Sequence, residues 1–415
     1  MQKMDPSFFY AVQLDANDRI KNCFWRDGKS KIDYDHFGDV LIFDTTFKMD
    51  NHGMICAPFM GLNHHRQYVL FGCAFLLDES IDSLIWLDET FKDAMGGRQP
   101  KTIFTDLNQA TAVAVEKVFP EAKHQFGLWH ILRNSTKYLS KSYAQNGFES
   151  LFNEWISGCQ TEEEFNLRWI SLLQKFNLHN NSWLNTLYKS REKWAPLFSK
   201  NTFRAGIPDS VNINGIFQKI SENSNLLTYV QQYLNAADRQ RRKESYEDFY
   251  CKEKAPKIFL NDSLVEKQAA RIYTSAVFKL FQRELLKCFL LTVEEISCDG
   301  WTATFKVAVE GQKGSIVEFD RVDSNVTCSC RKYESDGVLC MHALKVLDAK
   351  NIFHIPVQYR LKRWTKSAKD YAPTGHEHRQ DINGNQPPSE VTKSNDCGLA
   401  TGMSKGVEIS IFNNA

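Results

Sequence analysis

Apolar residues follow three rhythms along this chain. Between residues 39 and 139, short continuous apolar runs alternate with helical stripes. In DVLIFDTTF the run VLIF suits a strand buried on both faces. GMICAPFMGL and QYVLFGCAFLL predict two more strands, joined by the polar turn NHHRQ at 63–67. Ile81, Leu84, Ile85, Trp86 and Phe91 then fall on one helical face, with Ser80 as N-cap and Gly96-Gly97 as the stop. KTIFTD predicts a fourth strand, NQATAVAVEKVF a helix ending at Pro120, AKHQFG a fifth strand and LWHILRNSTKYL a helix. The expected order is three strands, helix, strand, helix, strand, helix.

From about 140 to 200 the period is helical, and Phe148, Phe152, Trp155, Phe165, Trp169, Phe176, Trp183 and Trp194 predict a bundle held by aromatic packing. Further helices are expected over 208–246 and, as one long amphipathic element, over 263–289. The period then drops to two: WTATFKVAVEG and GSIVEFDRV alternate as a hairpin does. After 372 the chain is rich in Gly, Pro, Asn, Ser and Thr, with Phe412 its only aromatic, and a disordered tail is expected.

Composition narrows this picture only slightly. With 51 Lys and Arg against 50 Asp and Glu, the net charge of +1 announces no nucleic-acid binder, so such binding needs a local patch. No apolar run is long enough to span a membrane, and MQKMDPSFFYAVQLDANDRI has no apolar signal core. An intracellular protein with reduced cysteines is expected.

Three of the eleven cysteines stand apart from the scattered rest. TCSCRKYESDGVLCMHALKVL brings Cys328, Cys330, Cys340 and His342 within fifteen residues. Three thiolates and an imidazole complete a tetrahedral zinc set, with no open position left for chemistry. Cys340 and His342 are two apart, about 200° on a regular helix, so Cys340 must lie at the helix start. One structural zinc is expected; chance clustering of core cysteines is the alternative.

Two aspartates, Asp44 and Asp106, end predicted strands. Were those strands adjacent and parallel, the two carboxylates would share a site for divalent ions, completed by a third acid from a later helix. The plainer reading is that each caps the next turn or helix, and Asp106 before LNQATA is a good N-cap candidate. YRLKRWTKSAK (359–369) carries Arg360, Lys362, Arg363, Lys366 and Lys369 with Tyr359 and Trp364 among them and no acid. Such a run can neutralise phosphates and stack bases, or serve as a solvated helix end or nuclear-import signal. The pair His64-His65 is a further metal or DNA contact, or simply a turn.

The CxC…CxH set after a hairpin and before a helix resembles the SWIM zinc finger. FFYAVQLDANDRIKNCFWRDGKSKIDYDHFGDVLIFDTTF, APFMGLNHHRQYVLFGCAFLLDE, MGGRQPKTIFTDLNQA and VFPEAKHQFGLWHI resemble the plant far-red-impaired-response regulators, which derive from Mutator-like transposases. The resemblance runs from about residue 5 to 370. It implies an α/β RNase H-like transposase core with an α-helical insertion, then a small ββα SWIM finger. It also implies nuclear residence and transcriptional regulation, often in light signalling. Asp44 and Asp106 match the first two acids of the transposase triad. In place of the third stands Val211, which cannot ligate Mg²⁺; Asp209 fits only through a register shift, and Asp209 or Glu222 would have to complete an active site. The family's Cys-x-x-His at the fifth strand is reduced to His130, with Gly127 in place of the cysteine. Full-length members of the family begin with a DNA-binding zinc module, and the resemblance here starts after it, near the linker, as expected of either a short paralogue or an incomplete gene model.

The resulting partition is a lead-in at 1–30, core at 31–139, helical insertion at 140–207 and last core helix region at 208–246. A helical linker at 247–295, SWIM finger at 296–349, basic segment at 350–372 and tail at 373–415 follow. An inactive nuclear regulator is expected. Mg²⁺ belongs only to the active-transposase alternative. A third reading is a short partner that modulates full-length relatives without touching DNA. DNA, contacted indirectly or without sequence specificity, and family members in homo- or hetero-oligomers are the expected partners.

Overall fold

The computed structural model describes residue 3 and residues 5–45, 47–48, 54–207 and 226–370; side chains are described from 228 in the last of these. The expected disordered tail and the positions Asp209, Val211 and Glu222 lie outside the described residues.

The five expected strands form the centre of one mixed sheet. They are β3 (Val40–Phe43), β5 (Ile55–Leu62), β6 (Tyr68–Leu76), β7 (Thr102–Thr105) and β8 (Lys123–Phe126), with β4 (Phe47–Lys48) beside β5. The order is β6-β5-β3-β7-β8, antiparallel from β6 to β3 and parallel from β3 to β8. Val40 pairs with Thr102 and Ile42 with Phe104, so the two aspartate-ending strands are parallel neighbours. The apolar run reads as expected: Val40 and Ile42 join one core cluster and Leu41 and Phe43 the other.

Residues 9–26, expected as part of a lead-in, belong to this sheet. β1 (Phe9–Leu14) and β2 (Ile20–Arg26) form a hairpin, and β2 pairs with β6 through Trp25 and Cys73. Half of β1 points to solvent, which blurs its apolar signal. Helices α1 (Gly28–Phe37), α2 (Ile81–Ala94) and α3 (Gln109–Val118) bracket the chain segments around β3 and β7. Ser80 caps α2 as expected, accepting from Ser83 N.

Beyond β8, α4 (Leu128–Tyr138), the short α5 (Ser140–Tyr143), α6 (Phe148–Ser157), α7 (Glu162–Phe176) and α8 (Ser182–Lys189) pack around Trp155. Its ring centroid lies 4.9 Å from that of Trp169 and 5.4 Å from that of Trp194, an aromatic core of the expected kind. A 28-residue helix, α9 (Leu226–Glu253), then returns to the sheet. Its Tyr229, Tyr233, Ala236 and Ala237 enter the same cluster as Val40 and Ile42.

The single helix expected over 263–289 is two, α10 (Leu264–Ile272) and α11 (Ser275–Cys288). Tyr273 is extended at the break and makes a β-bridge to Thr365, while Lys366 N donates to Ile272 O and Thr274 N to Trp364 O. A distant strand segment thus breaks a helix that amphipathic spacing alone would continue.

The C-terminal sheet has four antiparallel strands rather than the two expected. β10 (Thr302–Ala308) and β11 (Ser315–Asp320) are the predicted hairpin, flanked by β9 (Thr292–Asp299) and β12 (Asn325–Cys328). β9 is exposed along most of its length and β12 has four residues, so neither carries a clear alternation. The expected boundary at 296 falls within β9. Two helices, α12 (Lys332–Asp336) and α13 (Met341–Ala349), complete the unit. Ala343, Leu344, Val346 and Leu347 of α13 and Val317 and Phe319 of β11 share a core cluster with the main sheet.

Candidate functional site

The four cysteine–histidine ligands converge as their spacing predicts. Their ligand atoms all lie within 4.8 Å of one another, and Cys328 Sγ is 3.7 Å from His342 Nδ1. A tetrahedral zinc with Zn–S near 2.3 Å places sulfurs about 3.8 Å apart, so the cage fits that ion. Cys328 ends β12, Cys330 lies in the following turn, and Cys340 is the N-cap of α13 with extended backbone. Its sulfur accepts from Ala343 N at 3.4 Å, so the helix start holds the third ligand in place.

Hydrogen bonds from the Cys328 and Cys340 thiols hold the Cys330 sulfur far below the usual thiol range, and the bond to Cys330 raises Cys328, with Cys340 opposing. A divalent cation would let all three become thiolates, which is the state that binds it. Glu284 of α11 accepts from Met341 N at 3.0 Å, tying the ligand helix to the core. Gly337 adopts φ 73°, and a Cβ there would lie 2.7 Å from Trp364 Nε1. Only glycine fits the turn where the basic segment crosses.

That segment is an internal strap. Trp364 and Tyr359 are buried; Trp364 Nε1 donates to Asp336 O at 2.9 Å, and the Tyr359 hydroxyl accepts from Val326 N at 2.6 Å. Arg363 is buried in an ion pair with Asp39, donates to Leu62 O at 2.6 Å and stacks on Trp364. Lys369 pairs with Asp33 and Glu244. The aromatics and these two cations therefore face inward rather than toward a nucleic acid, because the strap closes the gap between the two sheets. Arg360 is half-buried, with Nε donating to Ile355 O; Lys362 is exposed and Lys366 half-exposed.

The two aspartates meet at one edge of the main sheet. β3, β6 and β7 run the same way, so Asp44, Glu79 and Asp106 all follow strand C-terminal ends at that edge, and His130 enters from α4 after β8. Asp44 is buried, and His130 Nε2 is 3.6 Å from Asp44 Oδ2. Burial pushes His130 down to about 4, with Asp44 opposing. Burial, helped by the like charges of Asp44 and Glu79, raises Asp106 to about 6. Glu79 accepts from Thr45 Oγ1 at 2.6 Å and from Asn108 Nδ2 at 3.2 Å. Asn108, not Asp106, caps α3. Asp106 is therefore not the helix N-cap; its carboxylate caps the turn before the helix instead, accepting from Asn108 N.

Glu79 is the member that sequence reading missed. Its signal was available: FLLDES ends a strand running parallel to β3, so its first acids reach the same edge. Even so, among the described residues these acids are not one of the two groups whose ligand atoms converge within 4.8 Å. The second such group is His64, His65 and Asp248.

Taken together, the mixed sheet with its strand-end acids and the cysteine–histidine cage mark a transposase-derived core joined to a zinc module. Family comparison agrees: residues 40–134 match the MULE transposase domain and residues 305–351 the SWIM zinc finger. Protein FAR-RED IMPAIRED RESPONSE 1 of Arabidopsis thaliana is 37% identical over 412 residues, covering 98% of this chain and 49% of that protein. Protein FAR1-RELATED SEQUENCE 5 is 36% identical over 376 residues, covering 89% and 48%. Protein FAR1-RELATED SEQUENCE 9, also from Arabidopsis thaliana, is 34% identical, and 68% of its length is covered. This chain belongs to the FAR1-related family of Mutator-like-transposase-derived proteins, a family of transcription regulators. It spans about half the length of the first two relatives.

Proposed function

We propose that this chain works in the nucleus as a zinc-containing transcription regulator whose transposase core no longer joins DNA. The strand order β6-β5-β3-β7-β8, with β3 and β7 parallel, supports an RNase H-like core. What supports inactivity is the sequence: Val211 stands where the family resemblance expects the third acid, and a valine cannot ligate a divalent ion. Two-metal strand transfer requires carboxylates that clamp two ions about 4 Å apart. A role in light-controlled development follows from the family alone. No helix among the described residues is long and apolar enough to cross a membrane.

The test is donor-DNA cleavage by the purified chain with Mg²⁺ or Mn²⁺. No cleavage above background is expected. Cleavage that Asp44→Asn abolishes establishes the active-transposase alternative, with Asp209, Glu222 or Glu79 as the third acid.

The partner reading gains from the strap. With Arg363, Lys369, Tyr359 and Trp364 turned inward, the segment retains little for DNA stacking. Pairing with full-length relatives, as homo- or hetero-oligomers, then brings the chain to DNA indirectly. Co-purification with a full-length relative from nuclear extract supports this; a partner-free monomer argues against it.

A further inference from the structure

Asn63, His64, His65 and Arg66 turn the chain from β5 into β6, at the edge of the sheet opposite the strand-end acids. A turn this polar belongs on the surface, yet His64 and His65 are only 2% and 5% exposed. Helix α9 covers them. His64 Nε2 lies 2.7 Å and His65 Nε2 2.8 Å from the same oxygen, Asp248 Oδ1. The ligand atoms of all three side chains fall within 4.8 Å of one another. We propose that His64, His65 and Asp248 form a second metal site, for a divalent transition ion such as zinc, distinct from the SWIM cage.

The site is built before any ion arrives. Asn63 Oδ1 accepts from His65 N and Gln67 N at 3.0 and 2.9 Å, and Arg66 takes φ 60° to close the turn. Asn63 Nδ2 donates to Glu244 Oε2, one helical turn before Asp248 on α9. Thr274 Oγ1 donates to His64 O at 2.7 Å. Phe37 stacks flat on His64 at 5.4 Å, and the two imidazoles lie 4.1 Å apart. Both rings are thereby fixed with Nε2 turned to one point. Two imidazoles and a carboxylate are a donor set that suits zinc and its neighbours rather than Mg²⁺ or Ca²⁺.

Zn–N and Zn–O bonds near 2.1 Å separate adjacent ligands by about 3.4 Å. Each Nε2–Oδ1 contact, at 2.7 and 2.8 Å, must therefore open by roughly 0.6–0.7 Å. Asp248 can give that distance, because its side chain is 36% exposed while the histidines are fixed. The same exposure leaves a fourth position open to water. Ligation uses the Nε2 lone pair, so each neutral ring carries its proton on Nδ1 and no net proton is lost. Neither Nδ1 has a hydrogen-bond acceptor in the protein. Lacking that support, which is worth 10–100-fold in affinity at other metal sites, the ion should bind more weakly than the SWIM zinc.

Titration of the purified chain, with zinc already in the SWIM cage, by Co²⁺ tests this. The expected result is one further equivalent of Co²⁺, with weak d–d absorption and no added thiolate charge-transfer band. Asp248→Asn and His65→Ala should each weaken that uptake at least tenfold, with the SWIM zinc content unchanged. If His65→Ala does not fold, Asp248→Asn, at a partly exposed helix position, still decides the question. No further equivalent at millimolar Co²⁺, or uptake unchanged in a folded Asp248→Asn variant, overturns the site.

Discussion

The cysteine–histidine cage and the acidic edge both gather metal-competent side chains, but by different means. All four cage ligands come from fifteen consecutive residues, and a strand end, a turn and a helix N-cap aim them. The acidic edge draws Asp44, Glu79, Asp106 and His130 from three strand ends and a helix, across almost ninety residues, and its third family position lies beyond the helical insertion. A local site keeps its geometry as long as its short segment folds. A dispersed site depends on every element arriving in register. The cage also has no spare coordination position, whereas at the edge Glu79 accepts from Thr45 and Asn108 and Asp106 from Asn108 N.

The largest expected effect separates the two regions directly. Cys340→Ser with His342→Ala should abolish zinc at the cage and melt the C-terminal sheet, because structural zinc supplies about 10–16 kcal/mol to small modules. Elemental analysis and amide exchange over β10–β12 read this out. Asp44→Asn should leave both unchanged; a loss of zinc there would mean that the regions are one unit.

Arg363→Ala comes next. Removing one partner of a buried ion pair costs about 3–5 kcal/mol, read as a lower urea midpoint. A loss below about 0.5 kcal/mol would return Arg363 to the surface, where such changes are normally small.

A pH-dependent effect sharpens the acidic side. Asp106 is raised to about 6 from an ordinary carboxylate value near 3.8, so the fold favours its protonated form. The resulting penalty is absent below the unfolded pKa, grows as pH climbs toward 6 and stays constant above it. Asp106→Asn should therefore stabilise the chain by about 1–3 kcal/mol at pH 7.5 and by nothing at pH 3.5, after allowance for partial exposure. Denaturant unfolding at the two pH values, repeated with 10 mM Mg²⁺, distinguishes the readings. A gain that Mg²⁺ cancels would mean that the wild-type edge binds the ion.

The smallest effect belongs to the surface cations. Lys366→Ala should change stability by less than about 0.5 kcal/mol. If the chain binds DNA through that lysine, the slope of log affinity against log salt should fall by about one. An unchanged slope favours indirect recruitment.

Much of this protein was legible in its sequence. The five central strands, the aromatic bundle, the cage and even the loop position of Cys340 follow from periodicity and spacing, because each depends on neighbours within a few residues. The weakly alternating β1, β9 and β12 were missed, and three long-range features were not legible. The break at Tyr273 arises from a bridge to Thr365, which helical spacing cannot foresee. The inward turn of Arg363, Tyr359 and Trp364 depends on Asp39, Leu62 and Val326, each more than thirty residues away; in sequence the segment reads as a basic, aromatic surface. The convergence of His64 and His65 on Asp248 needs a helix 183 residues later in the chain. Sequence determined the parts whose forces are short-ranged: the strand faces, the helix caps and the zinc spacing. Only tertiary structure decided which charges are buried and what they face, because burial and ion pairing act between segments that no local pattern connects.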